Sequence, residues 1–141
     1  MESGAINWSK ILIYGSVLFF TQFAMGFLEG FFSPEINATS HAETALLFAL
    51  STLASLIVSA SIFAHMCTYQ VIHPFLHALL SLVLYSAATF GLSLLVKPLI
   101  GSVPALLQYL DWLTLVAGFL AGLVIGGVLR HKRAGNQQSV V

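Results

Sequence analysis

Two acidic and two amide residues lie in or beside long apolar segments, where they could form a polar site. Glu29 and Gln22 are seven residues apart, while Gln108 and Asp111 are three apart, so each pair shares one face of a helix. Ionisable groups at membrane depth usually face protein, water or a partner. We therefore predict a proton, cation or other polar site between the first and fourth helices. Acids that only reach the headgroup layer are the alternative.

Three imidazoles and one thiol surround a short interhelical segment and form a second set: His65, Cys67, His73 and His77. The shortness of this segment predicts that His65 and His77 lie at similar depth on adjacent helices. Imidazole and thiolate are suitable ligands for zinc, copper or iron. A haem b or transition-metal site through His65 and His77 is therefore one hypothesis. The other is structural, with hydrogen-bonding imidazoles and His73 as a cap beside Pro74, because the spacing fits no metal motif.

Glycines recur at four-residue spacing in two of the apolar segments. Gly118, Gly122 and Gly126 form the longer series, and Gly26 and Gly30 form the shorter one. Such small-residue ridges allow two helices to approach closely in lipid. The series predicts a glycine zipper that serves either packing within the bundle or contact with a second copy or partner.

Hydroxyl and imidazole groups also recur every four residues along the third apolar segment, at His77, Ser81, Tyr85, Thr89 and Ser93. Hydroxyls in membrane helices often bond to their own backbone or to a neighbouring helix. The stripe therefore predicts polar contacts inside the bundle. The alternative is a narrow hydrated path that runs from His77 towards Asp111.

The elements that position these residues follow from an apolar composition. Of the 141 residues, 58% are hydrophobic and 7% are charged, against roughly 25% charged in soluble domains. Four segments reach the roughly 20 apolar residues that a spanning helix needs, at about 11–32, 44–66, 74–96 and 104–129. We predict an all-α, polytopic four-helix transmembrane bundle with up-down-up-down topology. Residues 1–133 form this single domain, and 134–141 form a polar C-terminal tail.

The distribution of basic residues predicts the orientation of the bundle. Lys10 precedes the first helix, and three basic residues follow the fourth, at Arg130, Lys132 and Arg133. Lys97 is the single basic residue in the loops of the opposite side. Because basic residues are retained on the cytoplasmic side, we expect both termini to be cytoplasmic. We expect a multi-pass protein of the cell membrane, in a bacterial inner membrane.

No catalytic motif is present: the sequence has no nucleophile elbow, phosphate-binding loop or His-Glu-x-x-His. We therefore expect no enzyme and no cofactor, and the zero net charge argues against nucleic acid. The leading prediction is a small transport or channel-like protein, or an accessory or protective subunit that acts through helix contacts. It would reside in the lipid bilayer, as a homo-oligomer or within a larger membrane complex. The alternatives are the redox subunit described above and a proton- or cation-coupled transporter that uses Asp111 and Glu29.

Overall fold

The computed structural model describes residues 6–32, 41–69, 72–100 and 105–138 of the chain. This part consists of four α-helices: α1 (Trp8–Phe32), α2 (His41–Tyr69), α3 (Pro74–Ile100) and α4 (Ala105–Gln138). Each contains an apolar window long enough to cross a bilayer, at Trp8–Leu28, Ala45–Tyr69, Pro74–Pro98 and Gln108–Arg133. The predicted all-helical architecture with four candidate spans is confirmed.

The outer surface of the helices carries large, exposed apolar side chains along the spans. Phe20, Leu95 and Val124 are 67%, 74% and 67% exposed. Exposed apolar patches of this extent are rare on soluble monomers and mark contact with lipid or with another protein. Together with the four candidate spans, this surface defines a multi-pass membrane protein.

The first helix begins three residues before the predicted boundary because Asn7 caps it. The Asn7 side-chain oxygen accepts a hydrogen bond from the backbone N–H of Lys10 at 3.1 Å, and its carbonyl accepts one from Ile11 at 3.2 Å. Asparagine is among the best residues at this position, since its side chain satisfies an N–H that has no partner in the helix.

Three helices end later than predicted: α2 ends at Tyr69 instead of about residue 66, and α3 and α4 also extend further. Lys97 and Pro98 were expected in a loop, but α3 continues to Ile100. Pro98 lies in the last turn of α3, so the one helical hydrogen bond that its missing N–H removes is at the end of the helix and not in its interior. The polar tail was expected from residue 134 onwards, but α4 continues to Gln138. Basic residues, alanine and glutamine in this segment are favourable in helices. Residues 139–141 lie outside the described part of the chain.

Helices α2 and α4 form the most closely packed pair. The glycine series of α4 lies against α2, and residue numbers rise together in three pairs: Gly118–Ser59, Gly122–Phe63 and Gly126–Cys67. The two helices are therefore parallel. The absence of side chains on α4 brings the backbones together, as in other small-residue interfaces.

Helices α1 and α3 form a second parallel pair, again with residue numbers that rise together. The backbone of Asn7 contacts His77, and the hydroxyl of Ser81 donates to the carbonyl of Ile11 at 3.3 Å. Next along α1, buried Gly15 lies against Leu84. Within the described residues α1 and α4 do not approach each other, whereas α2 contacts both members of the α1–α3 pair.

The best-buried apolar side chains come from all four helices and are called here the apolar layer: Leu18, Phe63, Met66, Cys67, Ala78, Leu115 and Phe119. Phe63 and Phe119 meet edge to face with their ring centres 5.2 Å apart, a favoured geometry for aromatic pairs. The layer divides the bundle in two. One half, in which α1 and α3 end and α2 and α4 begin, contains a cleft that is described below, and it is called here the cleft end. The basic end carries Lys10, Arg130, Lys132 and Arg133.

Candidate functional site

A cleft of about 380 Å³ lies in the half of the bundle where α1 and α3 end and α2 and α4 begin. Residues of all four helices line it. Its volume falls within the roughly 300–1,000 Å³ of small-molecule sites. The cleft exists because α4 packs on α2 and does not approach α1. The lining residues are Gln22, Met25, Gly26, Phe48, Ser51, Thr52, Ser55, Tyr85, Thr89, Gln108, Leu110, Asp111, Trp112, Thr114 and Leu115.

A reciprocal pair of hydrogen bonds between Gln22 and Ser55 joins α1 to α2 in the cleft wall. The Ser55 hydroxyl donates to the Gln22 side-chain oxygen at 2.7 Å, and the Gln22 amide donates to the Ser55 carbonyl at 3.3 Å. The pair holds the side-chain amide of Gln22 in a fixed position at the cleft. A polar residue in mid-span is satisfied here by a neighbouring helix, as polar groups in lipid require.

Three of the four residues predicted for the polar site line this cleft: Gln22, Gln108 and Asp111. The cleft lies between α1 and α4, which do not pack together in the described part of the chain, and α2 and α3 complete its lining. A proton, cation or other polar site at this position stays a prediction. Glu29 belongs to α1, but its side chain lies outside the described residues.

Several hydroxyl groups that line the cleft donate their hydrogen bonds to other groups of the protein. Thr89 donates to the carbonyl of Tyr85 at 2.9 Å, and Thr114 donates to that of Leu110 at 2.8 Å. Ser55 donates to Gln22 as described above. A hydroxyl has one proton and two acceptor lone pairs, so these groups offer acceptors to a molecule in the cleft. Together with the Asp111 carboxylate, they make this part of the wall rich in acceptors.

The base of the cleft is closed by the apolar layer. Leu115 belongs to both the lining and the layer, and Leu18, Phe63 and Phe119 lie beyond it towards the basic end. The stripe on α3 is divided accordingly, since Tyr85 and Thr89 face the cleft while Ser81 and His77 are buried below it. In this conformation, the described residues do not form the hydrated path from His77 to Asp111 that the spacing suggested.

His77 is fully buried and ties α3 to the start of α1. Its Nε2 atom accepts a hydrogen bond from the backbone N–H of Asn7 at 2.9 Å, so the proton of the neutral ring lies on Nδ1. Nδ1 in turn donates to the carbonyl of His73 at 2.9 Å. His73 has a φ of 47°, a left-handed conformation that is uncommon outside glycine. Both ring nitrogens of His77 thus have a structural role.

A second polar contact network crosses the basic end, and the sequence analysis did not predict its pairings. The Tyr14 hydroxyl lies 2.9 Å from Nδ1 of His65, whose ring centre is 4.4 Å from that of Tyr69. Arg133 donates to the Tyr69 hydroxyl at 3.0 Å and stacks 4.5 Å above the Tyr69 ring centre. The network links α1, α2 and α4. Aromatic and basic residues near the ends of apolar segments are a signal for such contacts.

The predicted metal or haem residues are distributed over different contacts. His65 and His77 bind Tyr14 and Asn7, which are seven residues apart on α1, or about 10 Å along the helix axis. The expected arrangement at one depth therefore does not occur. Cys67 is buried in the apolar layer against Gly126. Among the residues that the structure describes, no group of three His, Cys, Asp or Glu side chains is placed to hold a metal ion.

The glycines predicted to pack behave in two ways. Gly118, Gly122 and Gly126 contact α2 so closely that an added Cβ atom would overlap its backbone or side chains. Gly26 differs, because it lines the cleft and a Cβ atom there would meet no described atom within 4 Å. For Gly30, which lies in α1, the surroundings fall outside the described part.

Comparison of the chain with protein-family models, curated proteins and solved structures finds no match.

Proposed function

We propose that the protein is a non-enzymatic, transport-type membrane protein that admits a small solute from one side of the membrane into the cleft. The observation that supports this function is the cleft itself: it is polar on several walls, large enough for a small molecule, and closed at its base by the apolar layer. A permanently open channel would need a continuous polar path. A one-sided cavity fits a protein that binds its solute before a conformational change releases it.

The alternative of an accessory subunit rests on the glycine series of α4 as a contact surface for a partner. Within the bundle this series already lies against α2. Because these glycines already pack on α2, their spacing no longer indicates contact with a partner protein. The transport function is therefore favoured over the accessory subunit. For the redox alternative, the two nitrogens of His77 would have to give up their bonds to Asn7 and His73.

The proposed orientation is up-down-up-down with both termini in the cytoplasm of a bacterial cell. The two parallel pairs, α1 with α3 and α2 with α4, support this order of spans. The four basic residues of the basic end support the cytoplasmic location of that end. The cleft then opens to the outside. A C-terminal fluorescent-protein fusion should be fluorescent, and an alkaline phosphatase fusion at the same position should be inactive; the reverse pattern would contradict the orientation.

Filling the cleft provides the test of function. Gly26→Phe places a large side chain where the cleft has open space, and Gly91→Phe is a matched control, because Gly91 also has no described atom near an added Cβ and does not line the cleft. Uptake of radiolabelled choline, alanine, glucose and acetate would be measured in proteoliposomes. We expect uptake of at least one solute by the wild-type protein, its loss in Gly26→Phe and its retention in Gly91→Phe. Uptake of none of the four, or equal uptake by both variants, would contradict the proposal.

A further inference from the structure

The lining of the cleft combines several polar side chains with a carboxylate. Of the 15 residues that line the cleft, Asp111 is the one charged residue. A cavity whose lining carries one negative charge attracts cations and repels anions, most strongly where water is partly excluded.

Three hydroxyls and three aromatic rings of the lining favour the same kind of solute. The hydroxyls of Ser55, Thr89 and Thr114 direct their protons into the protein and offer lone pairs. Tyr85, Trp112 and Phe48 add aromatic rings, whose faces attract organic cations. A bare metal ion would need several oxygen atoms within about 2.6 Å, whereas the volume of about 380 Å³ suits a molecule with an apolar part.

We propose that the solute of the cleft is an organic monovalent cation, such as an aromatic or quaternary ammonium compound, held by Asp111 and the surrounding aromatic rings. This inference rests on the proposed function, since it names the substrate class of the same cleft. It goes further by predicting selectivity for charge, which a cleft for neutral solutes would not have.

The test compares three ligands of nearly the same shape: phenyltrimethylammonium, its uncharged carbon analogue tert-butylbenzene, and the anion benzenesulfonate. Binding is followed by the fluorescence of Trp112, which lines the cleft, in a Trp8→Phe background that removes the other tryptophan. We expect the cation to bind at least about tenfold more tightly than either analogue. Asp111→Asn should remove most of this preference, because only the aromatic rings then distinguish the cation, and Asp111→Glu should restore it.

The possible failures are distinguishable. If all three ligands bind equally and Gly26→Phe abolishes their binding, the cleft is a solute site and the inferred cation selectivity is wrong. If Asp111→Asn retains the full preference for the cation, the role of Asp111 is wrong. If no ligand changes the Trp112 signal, or the signal persists in Gly26→Phe, both the cation selectivity and the proposed solute cleft are overturned.

Discussion

Gly126 of α4 lies directly against Cys67 of α2, so a Cβ atom added at Gly126 would stand 2.6 Å from the Cβ atom of Cys67. It would also stand 2.7 Å from the carbonyl oxygen of Ala64. Both neighbours are attached closely to the backbone of α2, and neither can move without shifting the helix. The close approach of α2 and α4 therefore depends on the absence of a side chain at this position.

Gly126→Ala is accordingly expected to destabilise the protein. Overpacking of a well-packed interface typically costs about 1–3 kcal/mol, which exceeds the gain of up to about 1 kcal/mol that alanine brings in a helix. Gly127→Ala is the matched control on the same helix, because no described atom lies within 4 Å of its added Cβ; it should be neutral or stabilising. The effects of both substitutions are measured as changes in the free energy of unfolding in mixed detergent–SDS micelles. Equal effects of the two substitutions would show that the α2–α4 contact is not as close as described.

The reciprocal bonds between Gln22 and Ser55 predict an energetic coupling between α1 and α2. In a double-mutant cycle with Gln22→Leu and Ser55→Ala, we expect a coupling of roughly 0.6 kcal/mol and at most about 1.7 kcal/mol, which are the average and the maximum measured for polar contacts between membrane helices. Thr68 bonds only to its own helix in the described contacts, at the carbonyl of Ala64. The control cycle of Gln22→Leu with Thr68→Val should therefore be additive. A coupling near zero for Gln22 and Ser55 would contradict the contact.

Loss of the His77 side chain should destabilise the junction of α1 and α3. His77→Leu leaves the backbone N–H of Asn7 without its acceptor, whereas the carbonyl of His73 keeps its bond from the backbone N–H of residue 77. An unsatisfied donor that is removed from solvent costs about 1–3 kcal/mol. His77→Gln should recover part of the loss, because an amide can both accept and donate. His131→Leu, at an exposed position of α4, should change stability by less than about 0.5 kcal/mol. The free energy of unfolding in SDS is measured for the three variants. An unchanged free energy of unfolding in His77→Leu would contradict the structural role of His77.

The helices could be predicted from the sequence because the length of an apolar run is visible in consecutive residues. The apolar runs located all four, and the spacing of Gly118, Gly122 and Gly126 predicted a close helix contact. The extent of α3 and α4 was underestimated because Pro98 and the polar residues after Arg133 resemble loop signals, although each is tolerated near the end of a helix.

The arrangement of the helices was harder to predict, because every helix is apolar on most of its surface. The spacing predicted a polar site between α1 and α4, but it did not indicate that α4 packs on α2 and that α1 and α4 stay apart around a cleft. Likewise, the sequence placed His65 and His77 at one depth, while their contacts on α1 are two turns apart. Pairings such as Gln22 with Ser55 depend on how two helices are rotated about their axes, which spacing along one helix does not determine.

The most direct test of a solute cleft that opens to one side is the reactivity of single cysteines towards a membrane-impermeant methanethiosulfonate. In a Cys67→Ala background, Thr114→Cys lies in the cleft, and Val116→Cys lies two residues away on α4, exposed but not in the cleft lining. We predict that Thr114→Cys reacts rapidly from the outer side only, and that Val116→Cys reacts slowly from both sides because it faces lipid. Equal rates for the two cysteines, or rapid reaction of Thr114→Cys from the cytoplasmic side, would contradict a one-sided, water-accessible cleft.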